Sequence, residues 1–193
     1  MMSKLLSANL MRLKKDKVFW IAFGFMFAAG IIFPVMIYRD MVRTGIINTM
    51  DNVFFHYAMF IGILMAVFCS FFVGTEYSDG TIRNKVVAGK KRIDIYCSNF
   101  ITCAVASLLI CAGFFTPYLC IGIPLLGFFT ADIKIVLLFA VTVVALSVAF
   151  SSIFNLIAML SSNKAVTAVI CILAAFLLLF TGIKLNGMMN EPE

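Results

Sequence analysis

Apolar residues fill five stretches of the chain almost without interruption, at about residues 18–37, 53–74, 99–123, 135–158 and 165–183, and polar or charged residues gather between them. A helix rising 1.5 Å per residue crosses a hydrocarbon core of about 30 Å in about 20 residues. The five stretches reach or approach that length, and they predict an all-α fold: a polytopic membrane helical bundle of about five transmembrane helices.

The intervening segments predict further elements. Over residues 1–17, Met2, Leu5, Leu6, Leu10 and Leu13 recur at helical spacing beside Lys4, Asn9, Arg12 and Lys14, the pattern of an amphipathic helix lying on a membrane surface. The run Lys14, Lys15, Asp16, Lys17 marks the turn into the bilayer, and Trp20 and Tyr38 stand near the ends of the first span, where aromatic rings favour the interface. No charge falls between Asp94 and Asp132, a window longer than one perpendicular helix needs. Pro117 and Pro124 divide it, so a helix ending near 119–123, kinked at Pro117, and an irregular segment near 124–130 are expected.

Composition agrees with this pattern. The 193 residues are 63% hydrophobic and 12% charged, with a mean hydropathy of +1.09, against about 45–50% apolar and 25% charged in soluble domains. No Pro-, Ser- or Gly-rich linker interrupts the chain, so residues 1–193 read as a single transmembrane domain, and any nucleotide-binding or catalytic domain is expected on another chain. The first apolar stretch is too long for a signal-peptide core and no small-residue cleavage site follows it, so it is expected to remain as the first span.

Orientation follows from the basic residues. With the amino terminus inside, Lys4, Arg12, Lys14, Lys15, Lys17, Arg83, Lys85, Lys90, Lys91, Arg92 and Lys164 lie on the inner side, against Arg39, Arg43, Lys134 and Lys184 outside. Eleven against four is a positive-inside asymmetry, which makes the net charge of +6 a topology signal and argues against nucleic acid as a partner. An odd number of spans puts the carboxyl end outside.

Chemistry-bearing residues are sparse. The six cysteines fall in or beside apolar windows with no C-x-x-C pair, and His56, the single histidine, sits at the start of the second span as an interfacial group, so no metal site is expected. No span carries a central ionisable pair of the kind that ion-coupled carriers use. Ser147, Ser151 and Asn155 follow an i, i+4, i+8 line that lets a neighbouring helix approach closely; a polar substrate path is the second reading of the same line.

The one sizeable loop between spans on the inner side covers residues 75–98. Ser78 or Asp79 can cap a helix start, Gly80 to Ala88 can form about two turns, and Gly89 can close them in the left-handed conformation. Ile82 and Val86 share one face, Arg83, Asn84 and Lys85 surround it, and Lys90, Lys91 and Arg92 follow at the negative end of the dipole. So short a helix is marginal alone and needs packing on a membrane or a partner. A solvated connector whose basic residues only set orientation fits the pattern equally well.

The stretch Glu76-Tyr77-Ser78-Asp79-Gly80-Thr81-Ile82-Arg83-Asn84-Lys85, followed by Gly89, Arg92, Ile95-Tyr96 and Ser98, resembles the first cytoplasmic loop of the ABC-2 type exporter permeases. In that family an acidic residue and an aromatic close the second span, Gly-Thr opens a coupling helix, and a basic residue precedes the third span. The resemblance implies a membrane permease subunit of an ATP-driven ABC transporter, multi-pass in the plasma membrane with a cytoplasmic amino terminus, moving an amphipathic peptide, drug or lipid-like substrate. It implies that Glu76, Gly80, Thr81, Ile82, Arg83, Lys85, Val86 and Arg92 couple the chain to an ABC ATPase, that ATP and Mg are bound on that partner and no cofactor here, and that a second permease copy or paralogue completes a dimer within membrane lipid. Members usually have six spans, so the sequence is expected to be a piece of a longer permease lacking its last span.

Two other classes compete. A substrate-binding membrane subunit of an energy-coupling vitamin or metal uptake system has similar size and hydrophobicity but leaves the Gly80-Thr81 loop unexplained. A membrane enzyme needs paired carboxylates, a nucleophile with a base, or metal ligands, which one histidine and scattered loop acids do not supply.

Overall fold

Over residues 2–46, 49–50, 54, 57–161 and 163–190, which the computed structural model describes, seven helices follow one another with no strand among the described residues. They are α1 (Met2–Lys15), α2 (Lys17–Thr44), α3 (Tyr57–Ser78), α4 (Thr81–Val87), α5 (Arg92–Leu126), α6 (Ile133–Leu160) and α7 (Lys164–Asn190). Five of them, α2, α3, α5, α6 and α7, are long and apolar enough to cross a membrane, and the chain is a polytopic helical bundle. Val53, Phe55 and His56 at the start of the predicted second span and the last three residues lie outside the described residues.

A single residue separates α1 from α2. Asp16 is extended (φ −74°, ψ 122°) and its carboxylate accepts a hydrogen bond from the Phe19 N–H at 2.9 Å, so it caps α2 while breaking α1. α2 continues past the predicted span to Thr44, because a helix needs only its own backbone bonds and Tyr38, Arg39 and Arg43 extend it beyond the apolar window. Gly45, at φ 69°, closes it, with its N–H on the Met41 carbonyl at 3.0 Å.

The expected break within the long apolar window does not occur. α5 runs 35 residues straight through Pro117 and Pro124 and stops only at Gly127, leaving an irregular 127–132. Each proline removes one backbone donor, a loss that a membrane helix sustains when its neighbours pack closely, and Pro117 is buried against α2.

α2 lies along α5, α3 packs on α6 and α7, α5 packs on α6, and α1 rests on α5. A Cβ placed on Gly30 would stand 2.6 Å from the Phe114 carbonyl oxygen and 2.7 Å from Pro117 Cγ, so α2 and α5 meet backbone to backbone there. Phe54 gathers Phe115, Tyr118, Phe129 and Phe139 around it at ring separations of 5.1–6.0 Å, and the buried Tyr118 hydroxyl donates to the Met50 carbonyl at 2.5 Å. Ser147, Ser151 and Asn155 are all fully buried on α6, with Ser147 Oγ 3.4 Å from Ser107 Oγ on α5, so the small polar line is a helix–helix seam. All six cysteines are free thiols.

A buried carboxylate joins four helices at the candidate coupling site

The last turn of α3 carries Glu76, whose side chain is only 2% exposed. Its Oε1 accepts an ion pair from Arg12 on α1 and another from Lys85 Nζ on α4, the latter at 2.5 Å. Its Oε2 accepts from Asn99 Nδ2 on α5 at 2.9 Å. Asn9 on α1 donates to Asn99 Oδ1 at 2.6 Å and to Ser98 Oγ at 3.2 Å, and Lys85 Nζ reaches Asn9 Oδ1 at 3.5 Å. Arg12 also donates to the Phe72 carbonyl, and its guanidinium carbon stands 3.8 Å over the centre of the Phe72 ring. One carboxylate thus binds α1, α3, α4 and α5 at one end of the bundle.

Local sequence explains the convergence. Leu5, Asn9 and Leu13 recur every four residues and form the buried face of α1, which brings Asn9 and, one turn on, Arg12 against α3 and α5. Phe72 and Glu76 share a face of α3 by the same spacing. The chain folds back after α3 because Gly80 adopts φ 68°, which a residue with a Cβ disfavours, and the Gly80 N–H closes the turn on the Tyr77 carbonyl at 3.1 Å. α4 ends on Gly89 at φ 76°, with the Gly89 N–H on Val86 O at 2.9 Å and the Lys90 N–H on Lys85 O at 3.1 Å.

The helix start differs from expectation. Ser78 and Asp79 do not cap α4; Gly80 occupies the N-cap position without a side-chain bond. Ser78 still belongs to the last turn of α3, where its hydroxyl is held by Thr75 O and Asp79 Oδ1, both at 3.2 Å.

The residues singled out in the sequence divide into two sets. Glu76 and Lys85 lie in the buried junction, Gly80 makes the turn, and Ile82 is buried at 9% exposure. Thr81, Arg83, Val86 and Arg92 are exposed. Gly80, Ile82, Arg83, Val86 and Arg92 line, with Tyr77, Ile95 and Met159, a groove of about 430 Å³ between α4 and the adjoining ends of α5 and α6. Asn9, Arg12, Ser98 and Asn99 complete the junction and were not singled out. Asn9 and Arg12 read as the wet side of a surface helix, whereas Asn9 is 2% exposed. The available signal was an acid at the end of an apolar span, Glu76, with no countercharge on its own helix.

Electrostatically the junction holds one carboxylate and two cations. Burying such groups costs several kcal/mol per ion unless charges and lone pairs are matched, and here Asn9 and Asn99 supply the remaining partners. The arrangement therefore specifies how four helices meet more than it adds to net stability. Among the described residues no group of three His, Cys, Asp or Glu side chains is placed to hold a metal ion.

The family model of the ABC-2 family transporter proteins matches residues 5–183, from α1 through most of α7. The chain belongs to the ABC-2 transporter family. No curated protein and no solved structure matches it. ABC-2 membrane proteins are transport subunits, generally non-catalytic, that work with ABC ATPases. In this ABC-2 permease the matched region contains every residue of the Glu76 junction and of the groove beside α4.

Proposed function

We propose that the chain is the permease of an ATP-driven exporter and that α4 is its coupling helix, receiving the motion of a separate ABC ATPase and passing it to α3 and α5. The observation that carries this reading is the Glu76 carboxylate, which ties Lys85 of α4 to Asn99 of α5 while itself standing on α3. A push on α4 is then shared with two spanning helices instead of being lost in the connecting turns. Arg83, Val86 and Val87 of α4 and Arg92 at the start of α5 remain exposed as the docking face.

The excess of basic residues, eleven against four, supports an orientation with the amino terminus and α4 on the cytoplasmic side of a plasma membrane, where an ATPase can reach them. ATP and Mg belong to that ATPase, and a second permease copy or a paralogue completes the assembly. An apolar cavity of about 360 Å³ between α3, α6 and α7, walled by Ile63, Leu146, Phe150 and Leu178, suits amphipathic cargo.

The test is co-expression of the chain with the ABC ATPase encoded beside it. Arg83→Glu should lower the amount of ATPase that copurifies at an unchanged melting temperature, and Lys85→Met should leave a complex that hydrolyses ATP without moving substrate. If both variants assemble and transport like the unaltered protein, the coupling role of α4 is wrong.

A further inference from the structure

The elbow between α1 and α2 encloses a second feature, which the coupling reading does not use. Leu10, Leu13 and Lys14 of α1, Phe19, Trp20 and Phe23 of α2, and Val105 and Leu109 of α5 wall a groove of about 330 Å³ that is apolar apart from the Lys14 end. Leu109 is 45% exposed and Trp20 52%, so the groove opens on the outer surface of the bundle.

The elbow at that end is basic: Lys14 lines the groove, and Lys15 and Lys17 stand beside it in the chain. Lys14, Lys15 and Lys17 are all exposed, and among the described residues none has an acidic partner within ion-pair distance. The one acid in the run, Asp16, holds the Phe19 N–H, and the one arginine nearby, Arg12, is engaged by Glu76. The groove edge is fixed, because the Trp20 indole N–H donates to the Lys14 carbonyl at 2.9 Å and the Trp20 ring stands edge-on to Phe19 and Phe23 at 5.4 and 5.8 Å.

An apolar slot running from a cluster of unpaired ammonium groups has the chemistry of a phospholipid with an anionic headgroup: acyl chain along Phe19, Phe23, Val105 and Leu109, phosphate at the lysines. We infer that this elbow is a binding site for one anionic phospholipid, held by Lys14, Lys15 and Lys17 with its acyl chain in the α1–α2–α5 groove. A zwitterionic lipid fills the same slot but brings its own ammonium group to the cationic rim. The site therefore selects by headgroup charge. Because α1 also carries Asn9 and Arg12 into the Glu76 junction, an occupied groove holds α1 where that junction needs it.

Trp20 is the only tryptophan of the chain and walls this groove, so its fluorescence reports on lipid at this elbow. The purified full chain is reconstituted in vesicles of phosphatidylcholine and phosphatidylglycerol, with bromine on the acyl chains of one lipid and then of the other. Brominated phosphatidylglycerol should half-quench Trp20 at a mole fraction at least about threefold below that of brominated phosphatidylcholine, the excess a charge-selective site produces. The triple variant Lys14→Gln, Lys15→Gln, Lys17→Gln should bring the two lipids together, and Lys134→Gln, at the start of α6, should leave the preference intact. Val105→Phe keeps the lysines but fills the slot, and it should lower the preference at an unchanged elution volume. Equal quenching by both lipids in the unaltered chain overturns the proposal. So does a preference that survives Val105→Phe undiminished, since the lysines would then gather lipid without seating it.

Discussion

Lys85 and Glu76 meet at 2.5 Å although a helix end, a left-handed glycine and a helix start lie between them in the chain. The contact is possible because α4 folds back over the end of α3, and the carboxylate it reaches is already paired with Arg12. Glu76→Gln keeps the shape but leaves two cations at a site built for one anion. Removing one partner of a buried ion pair costs about 3–5 kcal/mol. The melting temperature of the purified chain should fall accordingly, and Lys85→Met should fall less because Arg12 remains. The double variant Glu76→Gln, Lys85→Met should recover part of the loss, since the two changes act on one contact. A Glu76→Gln protein that melts with the unaltered chain would remove the basis for the junction.

Gly30 should tolerate no side chain. Alanine there meets the Phe114 carbonyl and the Pro117 ring, both under 3 Å from the new Cβ, and neither can rotate away. Forcing α2 off α5 should cost about 1–3 kcal/mol. Gly24→Ala on the same helix has open space around the new methyl group and should be neutral or slightly stabilising. Thermal unfolding of the two variants side by side checks the contrast.

Tyr118→Phe deletes one oxygen from a fully buried ring and leaves the Met50 carbonyl with the Phe54 N–H, at 3.3 Å, as its donor. The expected loss is about 0.5–1.5 kcal/mol, the net worth of one hydrogen bond, since the acceptor keeps a second donor. Unfolding in denaturant gives the number, and a loss near zero would mean that the Phe54 N–H satisfies Met50 alone.

Asn155 predicts the opposite sign. Its Oδ1 is buried without a partner and its Nδ2 makes only a long bond, 3.4 Å, to the Tyr96 carbonyl. Asn155→Leu removes the stranded acceptor at similar volume and should leave stability within about 1 kcal/mol, or raise it. A larger drop, read as melting temperature, would show that this amide is satisfied by something bound between α5 and α6.

What the sequence made legible was whatever depends on local pattern. Five apolar windows gave five long helices, because in a bilayer an apolar run has few other ways to satisfy its backbone. The end of α4 was readable from Gly89, which stands where positive φ is needed, whereas Gly80 reads in the sequence as the first helical residue and instead holds the N-cap position at positive φ. The Ser147, Ser151, Asn155 line was readable as a close-approach face because its period matches the helix. Prolines misled where packing overrides local cost: nothing near Pro117 in the chain announces that α2 lies against it. The partners of Glu76 were hidden for the same reason. Asn9 and Arg12 lie more than sixty positions away, and their polarity alone suggested water, when it was another helix that received them.

Gly30 sits halfway along α2, and α2 touches α5 there with no side chain between the two backbones. Close-packed backbones resist sliding more than they resist tilting, since sliding would drive Phe114 and Pro117 into the neighbouring turns. The contact then fixes the height at which α2 stands against α5. One arm of α2 leads through Asp16 to α1, with its Asn9 and Arg12; the other leads to Thr44 on the far side of the bundle. A single glycine thus sets the register between the arm of α2 that carries α1 and the arm that ends at Thr44.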